Sequence, residues 1–155
     1  MTGNTQNTSR FQRIVVKAGT NGLTGGSDSL DLGMMTLLVE QMADLHQMGV
    51  EVLLVTSGAI ASGVQVLAID RQREDIPSRQ ALAAVGQSRL MHTYEQLFQN
   101  HSITVAQALL SRENIMDREG YLNVRNTLLA LLDWKVIPII NENDVVAVDE
   151  IGVDV

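Results

Sequence analysis

Two periods of apolar patterning take turns along this chain. RIVVKA (Arg13–Ala18), EVLLVT (Glu51–Thr56), ITVAQALL (residues 103–110) and VIPII (residues 136–140) are short runs, rich in β-branched residues and with little polar alternation. Strands covered on both faces of a parallel sheet read this way, because neither face needs water-compatible side chains. Between the runs the period lengthens. Residues 31–48 carry Met35, Leu38, Val39, Met42 and Leu45 at three-and-four spacing, and Gly49 stands where a helix would stop. Residues 58–67 read as a helix of small residues, in which Gly58 and Gly63 lower propensity and so answer a packing or ligand requirement. A longer helix is predicted over residues 78–99, interrupted near its middle by Gly86, and another over 111–133 with a break around 118–120. Gly19, Gly22, Gly25 and Gly26 keep the first connection from continuing as helix, residues 68–77 read as a loop, and residues 145–155 as the start of a hairpin. Pro138 removes a ladder donor from the last strand.

Strands alternating with helices imply βαβ units with right-handed crossovers. The expected fold is therefore α/β, a mostly parallel open sheet sandwiched by helices. With 155 residues the chain has the length of one ordinary domain. Residues 1–12 are expected to form a flexible N-terminal tail and residues 13–155 a single unit.

Composition narrows the functional classes. Hydrophobic content of 45% with 19% charged residues is that of a globular protein, no apolar run is long enough to cross a bilayer, and residues 1–10 lack the apolar segment of a secretory signal. A cytoplasmic location is expected, and the absence of cysteine fits a reducing compartment while excluding thiolate metal sites and cysteine nucleophiles. Net charge of −7 argues against a nucleic-acid surface, and no basic amphipathic helix suggests a membrane surface. His46, His92 and His101 have no metal-ligand spacing and read as structural or exposed side chains.

The candidate chemistry lies in three segments where predicted strands run out: Lys17-Ala18-Gly19-Thr20, Thr56-Ser57-Gly58-Ala59 and Asn141-Glu142-Asn143-Asp144. In open α/β sheets the carboxyl ends of the strands are where ligands bind. Lys17, ahead of a glycine-rich turn, is placed to approach phosphate oxygens, or else leaves the sheet edge for water. It belongs to neither a Walker P-loop nor a GxGxxG fingerprint, because its glycines follow the lysine. Ser57 and the slim Gly58 and Ala59 offer a hydroxyl and free amides at a helix start, suited to a carboxylate or phosphate; alternatively Ser57 is a helix cap. No GxSxG elbow surrounds Ser57, so nothing marks it as a nucleophile. The third segment either binds a ligand, with Asp144 facing an ammonium group, or is an Asx turn. Asp149, Glu150 and Asp154 read as solvated charges rather than Mg²⁺ ligands, so no metal-binding residue is assigned.

In their order and spacing, IVVKAGTNGLTGG (residues 14–26), VTSGAIASG (55–63), AAVGQSRL (83–90), LNVRNTL (122–128) and VIPIINENDVVA (136–147) resemble the amino acid kinase family, and within it the branch that acts on glutamate. That resemblance spans residues 13–153 and implies ATP-dependent phosphorylation of the γ-carboxylate of L-glutamate, a first step toward proline. It implies Lys17 as the catalytic lysine, Lys17, Gly19 and Thr20 against ATP, and Ser57, Gly58, Ala59, Asn141 and Asp144 against glutamate. ATP and Mg²⁺ as cofactors, proline as feedback inhibitor and a homo-oligomer follow from the same resemblance. Asn21 and Ala18 depart from the residues usual in the family, serine and an apolar residue such as leucine, without altering the pattern. The family pattern continues past Val155 with further acidic residues and a nucleotide-binding half holding a second lysine. This chain is accordingly expected to be the N-terminal, glutamate-binding part of a larger kinase, with little ATP turnover by itself. Other acceptors within the family (acetylglutamate, carbamate, uridylate) and a non-catalytic module that binds glutamate or proline remain open alternatives.

Overall fold

The computed structural model describes residues 11–27, 29–69 and 75–144. Residues 1–10 of the expected tail over 1–12, the expected hairpin over 145–155 and the acidic trio Asp149, Glu150 and Asp154 lie outside the described residues, while Gln12 O accepts from Glu51 N at 2.9 Å beside the sheet.

Four strands, β1 (Arg13–Ala18), β2 (Glu51–Thr56), β3 (Val105–Leu110) and β4 (Ile137–Glu142), form one sheet in the order β1-β2-β4-β3. Every pair is parallel. The helices between them are α1 (Thr20–Thr24), α2 (Leu32–Gln47), α3 (Ala59–Leu67), α4 (Ile76–Gln99), α5 (Arg112–Met116) and α6 (Arg118–Asp133). Chain order runs forward across the sheet from β1 to β2 to β3 and then steps back to β4. Right-handed crossovers therefore place α2, α3 and α4 over one face and α6 over the other. The expected α/β architecture is the observed one.

The core lies under α2 and α4. Met35, Val39 and Met42 of α2 and Leu90, Tyr94 and Phe98 of α4 bury against Val52, Leu54, Ile137 and Ile139 of the sheet. In a strand, alternate side chains share a face, so Ala18, Thr56, Gln107 and Asn141 belong to the rows that α2 and α4 cover. On the other face Leu53 is buried, but Val15 on the edge strand is 60% exposed.

Three elements differ from the sequence expectation. The helical turn α1 forms despite its glycines, since Leu23 N donates to Gly19 O and the buried Leu23 anchors the turn in the core. Gly86 does not interrupt α4, which is continuous from Ile76 to Gln99. It is instead the contact with α3: a Cβ on Gly86 would fall on the carbonyl oxygen of Ala59, and one on Gly63 would fall on the carbonyl of Leu82. The last strand does not end at Ile140 but continues through Asn141 and Glu142, paired with Leu109 and Leu110 of β3. The break expected near 118–120 is the α5–α6 corner at Asp117, whose side chain caps α6 through Gly120 N at 2.7 Å.

Candidate functional site at the carboxyl edge of the sheet

Because β1 pairs with β2 in the register Ala18↔Thr56, and β4 pairs with β2 through Val55↔Ile140, the ends of three adjacent strands reach one level. Adjacent parallel strands lie about 4.8 Å apart, so the three ends span about 10 Å. The helices that follow β2 and β3 leave toward opposite faces. Between such strands an open sheet forms its ligand crevice, and β4, with Asn141, lies there.

At the first end, Lys17 is exposed and its neighbour Ala18 is buried. Strand alternation sends the Lys17 side chain off the face opposite Ala18. Gly19 follows with extended backbone (φ −76°, ψ 161°) and Thr20 opens α1. Thr20 Oγ1 donates to Ser57 Oγ at 3.1 Å, which ties the first strand end to the second.

Ser57 does not cap α3. Its hydroxyl donates to Ala18 O at 3.2 Å, and the cap position belongs to Gly58, in the left-handed region at φ 95°. There a side chain would be strained and would press on Leu30 Cδ2. With its proton committed to Ala18, Ser57 Oγ retains acceptor capacity for a ligand's donor. A second contact fixes the same loop from below: Tyr94 OH lies 2.9 Å from Thr56 Oγ1, which donates to Ser57 O at 3.3 Å. Burial, only partly offset by that hydrogen bond, pushes the Tyr94 phenol up to about 12.

The helix starts divide into two kinds. α2, α4, α5 and α6 are capped by the side chains of Asp31, Asp75, Ser111 and Asp117. Helices α1 and α3, which begin at the carboxyl ends of β1 and β2, have glycine caps and no side-chain cap bond. No cap side chain accepts from their first-turn amides, and α3 adds the positive end of its dipole. The sequence had offered free amides at the start of α3 but no helix after Gly19; Gly19 and Gly58 at the cap positions were the signal.

At the third end Asn141 is buried and donates from Nδ2 to Gln87 Oε1 at 2.7 Å. Asn143 N donates to Leu110 O at 2.9 Å, and Asp144, half-buried, lies two residues beyond the end of β4. Gln87 of α4 had not been singled out from the sequence, where it was one glutamine among many on a long helix. Among the described residues no three His, Cys, Asp or Glu side chains gather as a cation site. No described helix is long and apolar enough to cross a membrane.

Four parallel strands with helices over both faces make this an α/β domain. Residues 12–154 match the amino acid kinase family, and the chain belongs to that family. Its curated relatives include glutamate 5-kinase of Dehalococcoides mccartyi, 55% identical over 141 residues, and that of Herpetosiphon aurantiacus, 54% identical over 141 residues. Each of those alignments covers 91% of this chain. Glutamate 5-kinase of Maridesulfovibrio salexigens is 45% identical over 151 residues, or 97% of this chain. The chain spans 38–40% of the length of these relatives.

Proposed function

We propose that this chain forms the acceptor side of a kinase that transfers the γ-phosphoryl group of ATP to the γ-carboxylate of L-glutamate, a first step toward proline. The observation that carries the reading is the pair of bare helix starts, α1 and α3, on neighbouring strand ends, where every other described helix has a side-chain cap. Amides without an internal acceptor suit anions, and this reaction brings two together: a triphosphate and a dicarboxylate.

In this reading Lys17, Gly19 and Thr20 face the ATP phosphates, with Lys17 the catalytic cation. Gly58 and Ala59 present amides to a glutamate carboxylate, and Ser57 Oγ, Asn141 and Asp144 present acceptors to its ammonium. An oxygen of the γ-carboxylate attacks the γ-phosphorus in line, the bond to the bridging oxygen of ADP breaks, and γ-glutamyl phosphate and ADP leave. A carboxylate is already ionised at neutral pH, so no general base is needed, and the residues contribute position and charge neutralisation. Mg²⁺ supplies further neutralisation when it arrives with the nucleotide. Proline as a competing feedback inhibitor, self-association through uncovered sheet edges and a cytoplasmic location belong to the same proposal.

Thermal unfolding with each ligand tests it. A ligand at about a hundred times its Kd stabilises the native state by about 2.7 kcal/mol. L-glutamate and proline are expected to raise the melting temperature by an amount that follows their concentration, and N-acetylglutamate is not. A shift with N-acetylglutamate or carbamate and none with glutamate would move the chain to another branch of its family.

A further inference from the structure

Three side-chain amides from three elements form a relay on the α4 face of the sheet. Asn141 Nδ2 of β4 donates to Gln87 Oε1 of α4 at 2.7 Å, and Gln87 Nε2 donates to Gln107 Oε1 of β3 at 3.0 Å. An amide has one donor end and one acceptor end, so the direction of one fixes the next. With the Gln87 oxygen accepting from Asn141, its NH₂ turns to the other side, where Oε1 of the exposed Gln107 accepts from it. The relay thus commits one N–H of Asn141 to Gln87 and so fixes which way the amide lies, with Oδ1, an acceptor, at its other end. Asn141 is 5% exposed, so its direction is set by these neighbours rather than by water.

We propose that Gln87 is a positioning residue that sets the specificity of the site for an α-ammonium group over an α-carbonyl. This rests on the reading above, in which Asn141 meets the ligand. A fixed Oδ1 acceptor suits the donors of glutamate's ammonium and opposes the carbonyl oxygen of 2-oxoglutarate, a molecule of the same length with the same two carboxylates. Buried polar groups left facing like partners are costly, so a single fixed amide separates the two ligands by more than a swivelling one does. Gln87 acts only through the direction of Asn141.

Calorimetric titration of the chain with L-glutamate and with 2-oxoglutarate gives the ratio of their Kd values. In Gln87→Met, which keeps length but has no hydrogen-bonding amide, Asn141 is free to turn its NH₂ outward, and the preference for glutamate should fall about tenfold. Gln87→Glu keeps an acceptor for Asn141 Nδ2 and should restore the wild-type ratio. Gln107→Leu, at an exposed position that folding tolerates, lets Gln87 reverse and should lower the preference as the methionine variant does. This second variant decides the matter if Gln87→Met fails to fold. A wild-type chain that binds glutamate while Gln87→Met or Gln107→Leu leaves the ratio unchanged overturns the positioning role and leaves the proposed function standing. Failure of Gln87→Glu to restore the ratio overturns it too. A wild-type chain that binds neither ligand removes both.

Discussion

The hydroxyl of Tyr94 shows how one buried group ties the core to the ligand edge. Its ring is fully buried among the core side chains while its oxygen supports Thr56, which holds the Ser57 carbonyl. The phenol's pKa is raised from 10 to about 12, so above pH 10 the unfolded chain releases a proton that the native state still holds. The stability contributed by the neutral phenol is complete below pH 10 and is lost as pH rises toward 12, by about 3 kcal/mol in all. Urea unfolding on either side of pH 10 should show this loss in the wild type and not in Tyr94→Phe, which forgoes about 1 kcal/mol at neutral pH for the missing hydrogen bond. Equal alkaline slopes in the two proteins would show that the phenol does not stay protonated in the fold. Nothing in the sequence distinguished this tyrosine. Residue chemistry that depends on a partner 38 positions away is invisible to local pattern, whereas Gly58, whose need is local backbone freedom, was legible.

Among elements, the strands were the easiest to read: β1 and β2 lie where the pattern put them, β2 because its buried interior must be apolar throughout, β1 because its run is apolar even though this edge strand leaves Val15 exposed. Ends were less legible. Asn141 and Glu142 are polar yet belong to β4, since β3 continues alongside and satisfies their backbone. Gly86 misled for a related reason: low propensity was read as a break, when the residue is required by the close approach of α3 to α4. Glycine within a helix costs about 1 kcal/mol locally, which packing on both sides offsets. The contact also fixes the start of α3, because the atom that a Gly86 side chain would strike is the carbonyl of Ala59. Gly86→Ala is expected to lower stability by about 1–3 kcal/mol, gaining in propensity but losing more in overpacking. It should also reduce the glutamate-dependent rise in melting temperature by displacing Ser57, Gly58 and Ala59. An alanine variant as stable as wild type in urea, with an unchanged ligand response, would mean that the helices separate without cost.

The whole molecule is polar along its strands. The candidate ligand segments lie at the carboxyl edge, and the opposite edge holds a cavity of about 190 Å³ lined by His46, Gly49, Val50, Glu51, Val52, Leu132, Lys135 and Val136. Burial there, with help from the nearby charge of Lys135, lowers the pKa of His46 below its ordinary 6.5. As pH falls below 6.5 the unfolded chain takes up a proton that the native state resists, so the stability held by neutral His46 is complete above 6.5 and lost on descent through the lowered pKa. Replacing His46 with glutamine should flatten the acid side of the stability profile, measured by thermal melts across that range, without altering the glutamate response at neutral pH. A variant profile as steep as the wild type's would assign the acid sensitivity elsewhere. The architecture was legible from the sequence because it follows from chain order, which also brings the three candidate segments to one edge of the sheet. The pH-sensitive edge was not, because it is assembled from the end of α2 and the turn before β4.

The bare starts of α1 and α3 carry a consequence for anyone seeking a hardier version of this protein. A serine or aspartate cap gains an ordinary helix about a few tenths of a kcal/mol over glycine, a gain within reach at Gly19, whose extended backbone and open surroundings accept a side chain, and not at Gly58, where one would be strained. Under the proposed function, such a cap at Gly19 would set an oxygen of the protein's own where an incoming anion would sit. Under the same proposal, selection for heat resistance alone would tend to seal the doorway that the two uncapped glycines leave open.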